Sequence, residues 1–93
     1  MAIPYQPYSP GIGDGGQLAA DIRLDMVGEL QVINQYLEHA HHATLPQAAA
    51  LFNEIANDER HHLMELLLLL LHVDPEQNKA HADVFARGMA RQV

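Results

Sequence analysis

The sequence contains no cysteine, so neither a disulfide nor a thiolate metal site can staple the fold. Basic residues are scarce: five Lys and Arg stand against twelve Asp and Glu, for a formal net charge of -7. A phosphate-binding surface needs the opposite balance, so nucleic acid is not an expected partner. No apolar run approaches the ~20 residues needed to span a bilayer. The six consecutive leucines, Leu66 to Leu71, follow closely on Asp58, Glu59, Arg60 and Glu65. Met1 to Gly16 has no basic stretch leading into an apolar one, so no signal peptide is expected and the cytoplasm is the default location. At 93 residues the chain is one small domain, below the size at which a single core is self-sufficient. Its stability must draw on packing, on a non-thiolate metal or on association.

Helix breakers are absent where they would do most damage. From Gln17 to Ala43 there is no proline and the one glycine is Gly28, whereas Pro4, Pro7, Pro10, Gly11, Gly13, Gly15 and Gly16 crowd the N-terminus. Residues 1–16 are therefore expected to form an extended arm. Leu18, Ile22, Met26, Glu29, Ile33, Tyr36 and Ala40 recur at three- and four-residue steps, one face of a long helix. Thr44-Leu45-Pro46-Gln47 reads as a capping box with proline in the first turn of a second helix. The second helix runs to about His72, with a face of Leu51, Ile55, Glu59, His62, Leu66 and Leu69. Asp74 as N-cap, with Pro75 and Gln77 behind it, starts a third, shorter helix within 74–93.

Residues 17–73 thus form an antiparallel hairpin of two helices, each roughly 27 residues and roughly 40 Å long. Two helices cannot cover their own apolar stripes, and the leucine run is apolar on all sides. The expected fold is all-α, with the hairpin and a short C-terminal helix dimerising into a four-helix bundle.

Glu59-Arg60-His61-His62 contains Glu-x-x-His, which places a carboxylate and an imidazole on one helix face. A second match exists at Glu38 and His41, so the motif alone decides nothing. Position decides between them. Counted from a turn between Thr44 and Leu45, Glu29, Glu59 and His62 all lie roughly 15 to 18 residues away, at one height near mid-helix. Tyr36 shares the stripe of Glu29, while Glu38 points about 180° away from it, toward solvent. Carboxylates interrupting a buried stripe must be protonated, paired or bound to a cation. Few cations are at hand, since Arg23 is nearly two turns from Glu29 and Arg60 points off the stripe. Two-fold symmetry would gather four Glu and two His, a charge that balances two divalent ions. Oxygen-rich ligation with one His per ion suits Fe, with Mn as the alternative, better than structural Zn.

Glu29 with Tyr36 seven residues on, followed by Glu59-x-x-His62, resembles the ferritin-like superfamily. The half-length chain resembles its encapsulated-ferritin branch, and the run Gly28-Glu29-Leu30 to Tyr36-Leu37-Glu38-His39 is similar to rubrerythrin-like and manganese-catalase-like sequences. The resemblance covers about Gln17 to His72. It implies that Glu29, Glu59 and His62 are metal ligands and that Tyr36 hydrogen-bonds near a ligand carboxylate. It further implies oxidation of Fe(II) by dioxygen or peroxide, two Fe per dimer, in a ring-like oligomer of dimers. The branch tends to place further acidic residues around the first Glu, where this chain has Gly28, Gln31 and Gln35; Asp25 is the substitute within reach. The C-terminus, Phe85 to Val93, shows no encapsulin-docking tail, so the chain itself does not argue for location inside a protein nanocompartment.

Two rival readings follow from the same residues. One is a peroxide-consuming di-iron or di-manganese enzyme, which without a rubredoxin-like cysteine centre would need an external electron donor. The other is a helical oligomerisation module whose polar core residues fix register only. His39, His41 and His42 read as a hydrated surface or an accessory metal cluster. His61 is expected to pair with Glu54, Asp58 or Glu65, and His72 and His81 to sit at helix ends or on the surface. Asp25, Glu54 and Asp58 read as solvated charge able to steer cations.

Overall fold

The computed structural model describes residues 14–90, with side chains over 16–89. The expected arm at 1–16 falls almost wholly outside the described residues, as do 91–93. Three helices follow one another, α1 (Asp14–His42), α2 (Pro46–Val73) and α3 (Pro75–Ala90), and no strand occurs among the described residues. The all-α reading holds. α1 begins three residues before the expected Gln17 and so includes two of the glycines assigned to the arm.

α1 and α2 pack antiparallel along their length. Ile22 meets Leu70 at one end, Glu29 faces His62 at the middle, and Tyr36 lies against Phe52 toward the turn. The turn is not the expected capping box. Leu45 is the N-cap of α2, with no side-chain hydrogen bond, and Pro46 takes the first helical position. The Leu45 carbonyl accepts from the Ala48 and Ala49 N–H groups at 3.0 and 3.1 Å. Proline's fixed φ and missing N–H start this helix without a side-chain cap.

The second junction follows the sequence closely. Asp74 Oδ1 accepts from the backbone N–H groups of Glu76 and Gln77 at 3.1 and 3.2 Å. Its Oδ2 receives the Arg23 guanidinium from α1. One carboxylate therefore caps α3 and ties it to the hairpin. Asp74→Ala is expected to cost about 1 kcal/mol, the usual loss of an N-cap. Faster amide exchange across α3, with α1 and α2 unchanged, is the check.

The core is thin. Among the described residues the buried apolar side chains are Ala19, Ile22, Ile33, Ala56 and Leu70. Met26, Leu66 and Val73 pack partly against the Ala19, Ile22 and Leu70 cluster. Of the leucine run only Leu70 is buried; Leu68 is 67% exposed and Leu69 43%. Leu24, Val27, Leu30, Val84 and Phe85 are at least half exposed. The radius of gyration is 17.1 Å, against about 12 Å for a compact domain of this length. The described residues thus leave apolar surface open on more than one side. No described helix is long and apolar enough to cross a membrane.

Candidate metal centre

Mid-hairpin, α1 contributes Glu29 and α2 contributes Glu59 and His62. The one-turn spacing of Glu59 and His62 stacks both on the face turned toward α1. His62 Nδ1 lies 3.5 Å from Glu59 Oε1 and 3.8 Å from Glu29 Oε2. One donor atom from each residue lies within 4.8 Å of the others. These separations are long for hydrogen bonds. They approach the roughly 3 to 4 Å between donors that share one ion at bonds of ~2.1 Å.

The electrostatics are those of a group that could hold a cation. Glu29 Oε2 is buried and has no hydrogen-bond partner. The Glu29 carboxyl is held above its ordinary value of 4.5, first by hydrogen bonding to the Glu59 carboxyl, then by burial and by the like charge of Glu59. His62 acts weakly in the opposite direction, and Asp25 adds to the rise. A cation beside the two carboxyls would offset the like charge and the burial that raise Glu29. Hard anionic oxygen donors with one imidazole fit Fe or Mn, and the buried, unpartnered Oε2 is the donor such an ion would satisfy.

The other sequence-nominated residues lie apart. Tyr36 stands two turns along α1 from Glu29, its ring 6.0 Å from that of Phe52 and 6.1 Å from that of His39. No hydrogen bond joins its hydroxyl to the three clustered residues. His39 packs edge-on to Phe52 at 5.4 Å, and His41 lies 5.2 Å from His42. These histidines belong to no group of three or more donors able to hold a metal among the described residues. His61 does not pair with an acidic neighbour: its Nδ1 is 2.9 Å from the Asn57 carbonyl oxygen, one turn back on its own helix. That local acceptor is always present on a helix and outcompetes a flexible exposed carboxylate.

An open groove runs beside the cluster, lined on α1 by Leu24, Asp25, Gly28, Glu29 and Val32 and on α2 by His62, Glu65 and Leu66. Asp25 is where the sequence expected a cation-steering group. Glu65 was not expected here. Its three-residue step from His62 is the signal in the sequence, against the competing reading of Glu65 as an outer-face partner for His61.

The rubrerythrin family model matches residues 23–90, which include Glu29, Glu59 and His62. This chain belongs to the rubrerythrin family. It thereby joins the ferritin-like superfamily, as the sequence resemblance implied. The chain is 35% identical over 69 residues to the encapsulin nanocompartment cargo protein EncB of Myxococcus xanthus (strain DK1622), covering 74% of this chain and 44% of that protein. It is 33% identical over 79 residues to the cargo protein EncC of the same organism, covering 85% and 60%. A ferritin-like-encapsulin shell fusion protein of Pyrococcus furiosus matches at 33% over 61 residues, covering 66% of this chain and 18% of the fusion. The chain therefore spans about half the length of the two cargo proteins. No solved structure matches this rubrerythrin-family chain.

Proposed function

We propose that the chain supplies half of a ferroxidase-type di-iron centre, completed by a second copy. Fe(II) is the substrate. A pair of Fe(II) ions surrenders two electrons, enough to reduce dioxygen to peroxide or peroxide to water, and leaves as Fe(III). The observation that carries this reading is the buried, unpartnered Glu29 Oε2 grouped with Glu59 and His62. Glu29 and Glu59 offer anionic oxygens that favour the higher charge of the oxidised ion, and His62 fixes its position from α2. A cation competes with the proton that Glu29 holds more tightly than usual, so uptake should weaken as pH falls.

Anaerobic titration with Fe(II), followed by air, tests the reading. Saturation near one iron per chain and a rise in ferric absorbance are expected. Saturation far from that ratio, or no rise, sinks it.

The family match favours a second reading, a peroxide-consuming enzyme of the same site. With no cysteine in the sequence, its electrons would come from an external donor. Oxygen evolution from peroxide by the Mn-loaded protein would select it over ferroxidase. Location inside an encapsulin shell is supported by relatives named as encapsulin cargo. Co-expression with an encapsulin shell protein should place the chain inside the purified particle; its complete exclusion would count against this location.

A further inference from the structure

If a second copy completes the centre, as proposed above, Gly28 takes on a role. Gly28 lies in the interior of α1, where glycine is among the poorest helix residues. Nothing inside the chain accounts for it. A Cβ on Gly28 would meet no atom within 4 Å, and its φ is not in the left-handed region. Gly88 is equally uncrowded, but it stands on exposed α3, away from the groove. Gly28 lines the groove, beside Glu29.

Leu24 and Val32 lie one turn to either side of Gly28 on the same stripe and line the same groove. Leu24 is 50% exposed. The α1 wall is therefore two apolar ridges with a notch between them, at the height of the metal cluster. Ridges with a gap at one-turn spacing are what a crossing helix packs into. The three clustered donors fill about half of the six positions a hard divalent ion offers. The remaining donors must arrive from the open side, across this notch.

We propose that Gly28 is the point of closest approach between two copies of the chain, where the second copy's α1 crosses the notch between Leu24 and Val32. The missing side chain lets the second backbone come near enough for its own Glu29 to complete the site. A free polar ligand would gain little from the apolar ridges, whereas a second apolar helix face matches them.

The test compares full-length wild type with Gly28→Ala and Gly28→Leu. Sedimentation velocity gives the dimer dissociation constant with saturating Mn(II), and circular dichroism gives the helicity and melting of the metal-free chain. Both variants should keep or raise helicity, since each is a better helix former than glycine. Their dimer dissociation constants should rise about ten-fold for alanine and about a hundred-fold for leucine, as overpacking at a tight contact predicts. Mn(II) affinity, read by water proton relaxation, should fall in step and recover at high protein concentration. Dimerisation of both variants as in wild type would overturn the role of Gly28 while leaving the dimeric centre intact. Weakening by leucine alone would also overturn it, because a point of closest approach has no room for a methyl group. A wild type that stays monomeric with saturating Mn(II) would overturn the dimeric reading and this inference together.

Discussion

Glu59→Ala is expected to abolish stable metal binding, and with it any metal-dependent association of the chain. The residue supplies one of three donors gathered within 4.8 Å, and it is the carboxyl that most perturbs Glu29. Alanine leaves Glu29 and His62, two donors on different helices, and a hard divalent ion held by two protein donors is held weakly. Loss of one anionic donor of three, in a partly buried cluster, should cost about 3 kcal/mol, or more than a hundred-fold in affinity. His62→Ala and Glu29→Ala should lose binding comparably, because each removes a third of the same set. Glu38→Ala and His41→Ala serve as controls: they carry the competing Glu-x-x-His match and join no such cluster. Isothermal titration with Mn(II) under these five substitutions reads the comparison directly. Equal binding by the Glu59 and Glu38 variants would show that the cluster is not the site.

The second large effect is on stability, and its sign reverses with metal. Glu29 binds its proton more tightly in the fold than its ordinary value of 4.5 would allow. A raised carboxyl stabilises the fold fully below that ordinary value, and the contribution is lost as pH rises through the folded value. Above that folded value the metal-free chain holds a half-buried carboxylate against another, with Oε2 lacking a partner. Glu29→Gln removes the charge and can donate to Glu59. It should stabilise the metal-free protein at neutral pH by about 1–3 kcal/mol, the range for relieving an unsatisfied buried group. The advantage should shrink toward pH 4.5, where wild type holds its own proton. Under saturating metal the order inverts. Wild type gains about 4.1 kcal/mol at a thousand-fold excess over its dissociation constant, and the Gln variant gains little. Melting of both proteins at two pH values, with chelator and with metal, checks the four corners. A Gln variant less stable than wild type in chelator at pH 7 would mean that Glu29 is already satisfied without a cation.

The helices and the cluster were legible in the sequence for different reasons. Three- and four-residue recurrence gave α1 and α2 because burial is periodic on a helix. Height and direction in an antiparallel pair then brought Glu29 to Glu59 and His62 across thirty residues, as the structure brings them. Asp74 was legible because a capping aspartate before a proline has few alternative uses. Its second bond, to Arg23, was not, since it depends on where α3 leaves the hairpin. Thr44 misled because a capping box and a proline start are both good beginnings, and the backbone takes only one. His61 misled because side-chain partners are visible in sequence while a backbone carbonyl one turn away is not. In the sequence Gly28 stands out as the one glycine of its stretch and as a neutral neighbour of Glu29; the groove beside it exists only after α1 and α2 have packed.

The most direct test of the account weighs the assembly and counts its metal together. Native mass spectrometry of the Fe(II)-loaded protein, prepared anaerobically, gives chains per particle and ions per particle in one spectrum. The account predicts particles with an even number of chains, one ion for each chain, which fall apart to metal-free monomers in chelator. Single chains that hold an ion as tightly as the assembly does, or dimers indifferent to chelator and to Glu59→Gln, would contradict it.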